Sequence, residues 1–153
     1  MNQVYLFALV FLSASFAGCT GDEEENCDTL TDSTETVIDE DQYYSIDFNT
    51  GQVVKSVQYT FERKDDEGHE IDVYLMTKIN FQQYEDGNSF VYLVDFSEPA
   101  TTKTMFGKDG NLDESDEYFL VIDNTDAGAS SPPSDGYDNG VHFVIEYSIE
   151  KCS

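Results

Sequence analysis

Between Gln42 and Ile149, apolar and polar residues alternate in short runs broken by turn-forming residues, the period-two pattern of half-buried β-strands. The strongest run is Glu117–Asn124. Its middle places Tyr118, Leu120 and Ile122 on one face and Phe119 and Val121 on the other, so both faces are apolar and the strand belongs near the centre of a sheet. Gln42–Phe48 sets Tyr44, Ile46 and Phe48 against Tyr43, Ser45 and Asp47. Val53–Arg63 directs Val53, Val57, Tyr59 and Phe61 inward, and Glu70–Met76 directs Ile71, Val73 and Leu75 to the buried face. Thr77–Tyr84 fits a strand or a short helix equally. Ser89–Phe96 reads as a strand with apolar residues on both faces, Pro99 interrupts the pattern, and Thr101–Phe106 reads as another strand. Lys108–Asp116 is an acidic loop, and Gly128–Gly140 is a long loop with two prolines and three glycines. Val141–Ile149 closes the pattern, with Val141, Phe143, Ile145, Tyr147 and Ile149 inward and His142, Glu146 and Ser148 outward.

About eight short strands with no long helical period predict an all-β fold, an antiparallel β-sandwich. The chain has 153 residues, enough for one domain, and its 11 Phe and 10 Tyr supply an aromatic core without Trp.

The amino terminus follows another rule. Val4–Phe16 is apolar apart from two serines, too short to span a bilayer but suited to the core of a signal peptide. The sequence Phe16-Ala17-Gly18-Cys19 resembles the lipobox of prokaryotic lipoproteins. That resemblance implies a signal peptide over 1–18, lipidation of Cys19, export, and attachment to the membrane through lipid. A plain secretory signal cleaved near Gly18 is the alternative. Residues 19–35, polar and acidic, read as a tether, with one short strand at Thr36–Ile38 opening a domain over 36–153. Once Cys19 is set apart, Cys27 and Cys152 remain, and a disulfide between them would join the two ends of the domain.

Seven basic against 32 acidic residues give a formal charge of −25, which argues against nucleic acid and against charge-driven binding to anionic membranes. The acid excess reads as cation binding, as adaptation to high salt, or as a solvated surface.

Three strands carry a family resemblance: Tyr43-Tyr44-Ser45-Ile46-Asp47-Phe48, Glu70-Ile71-Asp72-Val73-Tyr74-Leu75 and Glu117-Tyr118-Phe119-Leu120-Val121-Ile122-Asp123. In order and spacing they resemble the bacterial pre-peptidase C-terminal domain over Gln42–Ile149. The resemblance implies a jelly-roll-like sandwich acting outside the cell as a non-catalytic accessory or binding module.

Candidate chemistry is sparse. Asp109, Asn111 and Asp113 copy the first three positions of a calcium loop. Glu114 stands where that loop requires glycine and Leu120 where it requires a bidentate Glu, so an EF-hand is rejected. An irregular Ca2+ site on Asp109, Asn111, Asp113 and Asp116 remains as an expectation. Asp123, Asp126, Asp135 and Asp138 bracket the last long loop, where Asp is ordinary turn chemistry. His69 and His142 lie in no nucleophile motif, and no Gly-x-Ser-x-Gly or phosphate loop occurs. The sequence reading is therefore a lipid-anchored module with a binding or support role toward a surface protein or glycan, and no enzyme. Two alternatives stand beside it: a carbohydrate-binding module using Tyr74, Tyr84 and Tyr137 as exposed aromatics, and a small secreted hydrolase or its accessory using paired carboxylates.

Overall fold

The computed structural model describes residues 26–49, 51–65, 68–113, 116–133 and 139–152. The signal segment, Cys19 and the first part of the tether, together with Asp135, Tyr137 and Asp138, lie outside the described residues.

Eight strands form two antiparallel four-stranded sheets. They are β1 Cys27–Ile38, β2 Gln42–Asp47, β3 Val53–Arg63, β4 Ile71–Thr77, β5 Glu98–Thr101, β6 Met105–Asn111, β7 Tyr118–Asn124 and β8 Val141–Cys152. One sheet runs β1-β8-β3-β6 and the other β2-β7-β4-β5. Consecutive strands alternate between the two sheets except for β4 and β5, which pair within one, and this is the strand order of a jelly roll. Between the sheets lie Phe48, Tyr59, Phe61, Leu75, Leu120, Phe143 and Ile145, all fully buried. The aromatic count appears there as stacked rings: Phe61 lies on Phe143 at 5.5 Å and on Phe106 at 5.3 Å.

β7 is central, between β2 and β4, as its two apolar faces required. The outer faces of β7 and β4 are closed by helix α1, Lys78–Glu85, and the segment that follows it. Phe81 and Tyr84 of α1 pack with Tyr74, Met76 and Val121. α1 settles the stretch that fitted strand or helix equally.

Several boundaries differ from the sequence reading. The segment 27–35 is strand, so the sandwich begins at Cys27 and not at Thr36. β1 sits at a sheet edge with nearly every side chain in solvent, and there a Thr-rich acidic sequence needs no apolar periodicity. Val53 is exposed and Val54 buried, because the pairing of β3 with β8 slips between Val54 and Ser56; the extra residue is a β-bulge that reverses the faces before it. Ser89–Phe96 is not a strand. Leu93 donates its N–H to the Leu75 carbonyl, Val94–Phe96 forms one 3-10 turn, and Phe90 and Tyr92 pack across the sheet as a cover. Thr101–Phe106 is not one strand: Thr101 ends β5, residues 102–104 connect, and Met105 and Phe106 open β6. Pro99 lies inside β5, where an edge strand tolerates its missing N–H. The acidic loop starts only after Asn111.

Cys27 and Cys152 form a disulfide across 125 residues, on the first rung of the β1–β8 ladder. Such a bridge persists in an oxidising compartment. The registers also fix the two ends of the sandwich. Cys27, Cys152, Val53 and Asp47 lie at one end; Ile38, Val141, Arg63 and Asn124 lie at the other, with the long loop after β7.

Candidate functional site

Alternation along β4 sends Ile71, Val73 and Leu75 into the core and Asp72, Tyr74 and Met76 to the outer face of the sheet. On β7 the same rule sends Leu120 and Ile122 inward and leaves Val121 and Asp123 outward. Asp72 and Asp123 are opposite each other in the ladder, and Tyr43 of β2 is opposite Asp123 on its other side. One rung therefore carries two aspartates, each 0% exposed.

Their surroundings differ. Asp72 Oδ1 accepts the N–H of Ala100 at 2.5 Å. Its Oδ2 accepts the N–H groups of Ala129 and Ser130, both at 2.8 Å, and the Ser130 hydroxyl at 2.9 Å. Charge-assisted bonds of this kind tie β5 and the long loop to the sheet. Ala100 is held at φ 46°, a left-handed conformation that a non-glycine residue adopts only when its surroundings impose it. Asp123 Oδ1 accepts the Thr125 N–H at 2.9 Å, whereas its Oδ2 has no hydrogen-bond partner. Burial pushes the Asp123 carboxyl above the usual range; Thr125 and the Tyr84 hydroxyl oppose this, and the charge of Asp72 adds to it. Burial likewise raises the Tyr74 and Tyr84 phenols.

Gly128 crosses directly over the pair. A Cβ there would strike Asp72 Oδ2 and would lie 2.8 Å from Tyr74 Oη and 3.0 Å from Asp123 Oδ2. Only a residue without a side chain lets the loop approach so closely. Ala127, Gly128 and Ala129 then form one wall of an open groove of about 430 Å³. Gly87, Asn88, Ser89, Phe90 and Tyr92 form the other wall, with Tyr74 at the base. Tyr92 stacks on Tyr74 at 4.7 Å, and Phe90 meets Tyr74 edge-on at 5.5 Å.

The sequence-predicted residues are placed elsewhere or otherwise. Tyr74 and Tyr84 are 1% and 4% exposed, so neither is the surface platform expected for sugar; α1 and the segment after it cover Tyr74, and Tyr84 is on the buried side of α1 itself, packed into the same cluster. Phe90 and Tyr92, half-buried at the groove, hold the position assigned to them. Asp109 and Asn111 lie on strand β6, paired with Gln58 and Ser56, on the outward face of the opposite sheet. The backbone N–H and carbonyl of Asp113 both bond the Tyr118 hydroxyl, at 3.1 and 3.0 Å, and Asp116 lies beyond that turn. An extended strand does not wrap its side chains around an ion as a loop does. Among the described residues, no group of three or more His, Cys, Asp or Glu is placed to hold a metal.

His69 is built into a hydrogen-bonded network. Arg63, buried beside Asp65 (2.5 Å), donates to the His69 carbonyl at 2.6 Å and approaches its Nδ1 at 3.2 Å. Nε2 faces Asn124 Oδ1 at 3.2 Å. Because Arg only donates and the Asn124 amide nitrogen already donates to two carbonyls, the consistent tautomer carries its proton on Nε2. His142 pairs with Glu35 at 2.9 Å on the outer surface.

No family model matches this chain, and no curated protein matches it. Among solved structures it is similar to one described as the crystal structure of FLHE, with 11% identity and a TM-score of 0.41, covering 82% of this chain and 96% of that one.

Proposed function

We propose that the chain is an exported, non-catalytic sandwich module, anchored to the membrane by lipid on Cys19, that presents its groove to a surface protein or glycan. The observation that carries this reading is the two-ended layout. The tether must enter at Cys27, which the disulfide fastens to Cys152 at one end. The long loop that walls the groove leaves β7 at Asn124, at the opposite end. An anchor at one end and an aromatic-lined groove toward the other orient the groove away from the bilayer.

Two further observations favour binding over hydrolysis. The carboxylate pair lies beneath Gly128 and out of solvent. Asp72 has its oxygens engaged by four donors, whereas paired-carboxylate hydrolysis needs both acids open to substrate. The resemblance to the pre-peptidase C-terminal domain agrees with an accessory role, and the jelly-roll strand order is compatible with it.

Anchoring is tested by Cys19→Ser in the full chain. The substitution is expected to move the protein from the membrane fraction to the soluble exported fraction while the Cys27–Cys152 bridge still forms. Membrane retention equal to that of the unsubstituted chain contradicts the anchor.

A further inference from the structure

We infer that Asp72 and Asp123 act together as a proton-dependent latch on the loop 125–130, closed while the pair holds one proton on Asp123 and released when that proton is lost. The placement of the two groups carries this inference. They occupy one rung of the sheet, both are fully buried, and both Oδ2 atoms converge on Gly128. Two ionised carboxylates held out of water on neighbouring strands repel each other strongly, so such a site keeps a proton.

The hydrogen bonds say which member keeps it. Asp72 accepts four donated hydrogens and has no use for one of its own. Asp123 accepts the Thr125 N–H on Oδ1 and has the Tyr84 hydroxyl beside it, but its buried Oδ2 has no hydrogen-bond partner, and a buried, partly unsatisfied anion is the costlier form. The other groups facing the rung supply no cation. Tyr43 from β2, Tyr74 from β4 and Tyr84 from α1 are phenols raised by burial, and Glu85 accepts the Tyr43 hydroxyl. Thr125 and Ser130 from the loop are neutral, and Asp126 stands in solvent.

The raised carboxyl of Asp123 sets the sign. The closed form retains its proton above the ordinary Asp range of about 3.9. Stability from this group is complete below that value and is lost as pH rises through the raised value of the closed form. The loop is the part released, because three of the bonds from Ala129 and Ser130 that hold it to the sheet end on Asp72, which lies beside the new charge, and the fourth runs from the Ala129 N–H to the neighbouring Tyr74 hydroxyl. Loss of the latch would remove one wall of the groove. That consequence rests on the groove being the binding surface; the titration does not.

The test follows the carboxyl carbons of Asp72 and Asp123 by NMR across pH in the full chain, together with amide exchange at Ala129 and Ser130 corrected for intrinsic rate. Asp123 is expected to titrate above the ordinary Asp range. Protection at Ala129 and Ser130 is expected to fall about tenfold per pH unit through that window. In Asp123→Asn, which keeps the shape without the charge, protection is expected to stay level over the same window. An Asp123 that titrates in the ordinary range overturns the latch, as does a variant that loses protection in parallel with the unsubstituted chain. Should the variant fail to fold, the titration of the unsubstituted chain decides alone. A groove that binds nothing would leave both readouts in place.

Discussion

Replacing Cys27 and Cys152 together with serine is expected to lower the stability of the domain by about 4–5 kcal/mol, the loop-closure value for a bridge of this span. The closed loop covers 125 residues, nearly the whole folded region, so the unfolded chain gains most of its lost freedom when the bridge is removed. The midpoint of thermal unfolding should fall on the order of 15 °C for a domain of this size. Because the effect acts mainly on the unfolded state, the dependence of stability on urea should steepen as the unfolded chain expands. A local effect is expected too. Residues 27–33 of β1 are exposed on both faces and are held by their ladder to β8 and by the bridge. Amide protection at Asp28–Thr31 should therefore fall further than protection in β7. Urea unfolding of the variant, and of the unsubstituted chain with reductant, should give matching curves. An unchanged midpoint would mean that the ladder alone holds β1.

Asp72→Ala is the second large effect, a loss of roughly 3–5 kcal/mol. The side chain is small, but its removal leaves the buried Ser130 N–H and Oγ–H and the Ala100 N–H without this acceptor, and leaves the Ala129 N–H only the Tyr74 hydroxyl. Ala100 would also lose the bond that offsets its left-handed backbone. Relief of the repulsion with Asp123 returns part of this, but burial is the larger cause of the Asp123 shift, so most of that shift should persist in the variant. Asp126→Ala, on the exposed part of the same loop, should stay within about 0.5 kcal/mol. Urea unfolding of the two variants side by side checks the contrast. Equal, small effects would mean that the bonds to Asp72 do not hold the loop.

The fold was legible where burial is one-sided. β2, β3, β7 and β8 follow alternation because one face meets the core and the other meets solvent or a cover, and β7 announced its central place by being apolar on both. Legibility failed where something else satisfies the chain. β1 is an edge strand set by pairing and a disulfide, so its acidic Thr-rich sequence resembled a tether. Phe90 and Tyr92 look like strand residues but cover an aromatic cluster, and α1 has too few apolar positions to show a helical stripe.

The buried aspartates were hidden for a related reason. In Glu70-Ile71-Asp72-Val73-Tyr74 the alternation sends Asp72 outward, and outward normally means solvent. Only the helix and loops folded over that face turn it into an interior, and no local pattern reports the part of that cover, Ala129 and Ser130, that arrives from more than 50 residues away. The one available signal was Asp123, an acid at the end of a strand apolar on both faces and close to a small-residue run, Ala127-Gly128-Ala129.

The central claim is that the module presents its groove end to a partner while its disulfide end faces the membrane. A photo-crosslinking residue placed at Ser89 in the groove, and separately at the exposed Gln52 near the disulfide end, tests it in the full chain within its own cells. The account predicts a discrete adduct with a surface protein or glycan from Ser89 and none from Gln52. Adducts from Gln52 alone, or equal yields from both positions, would contradict it.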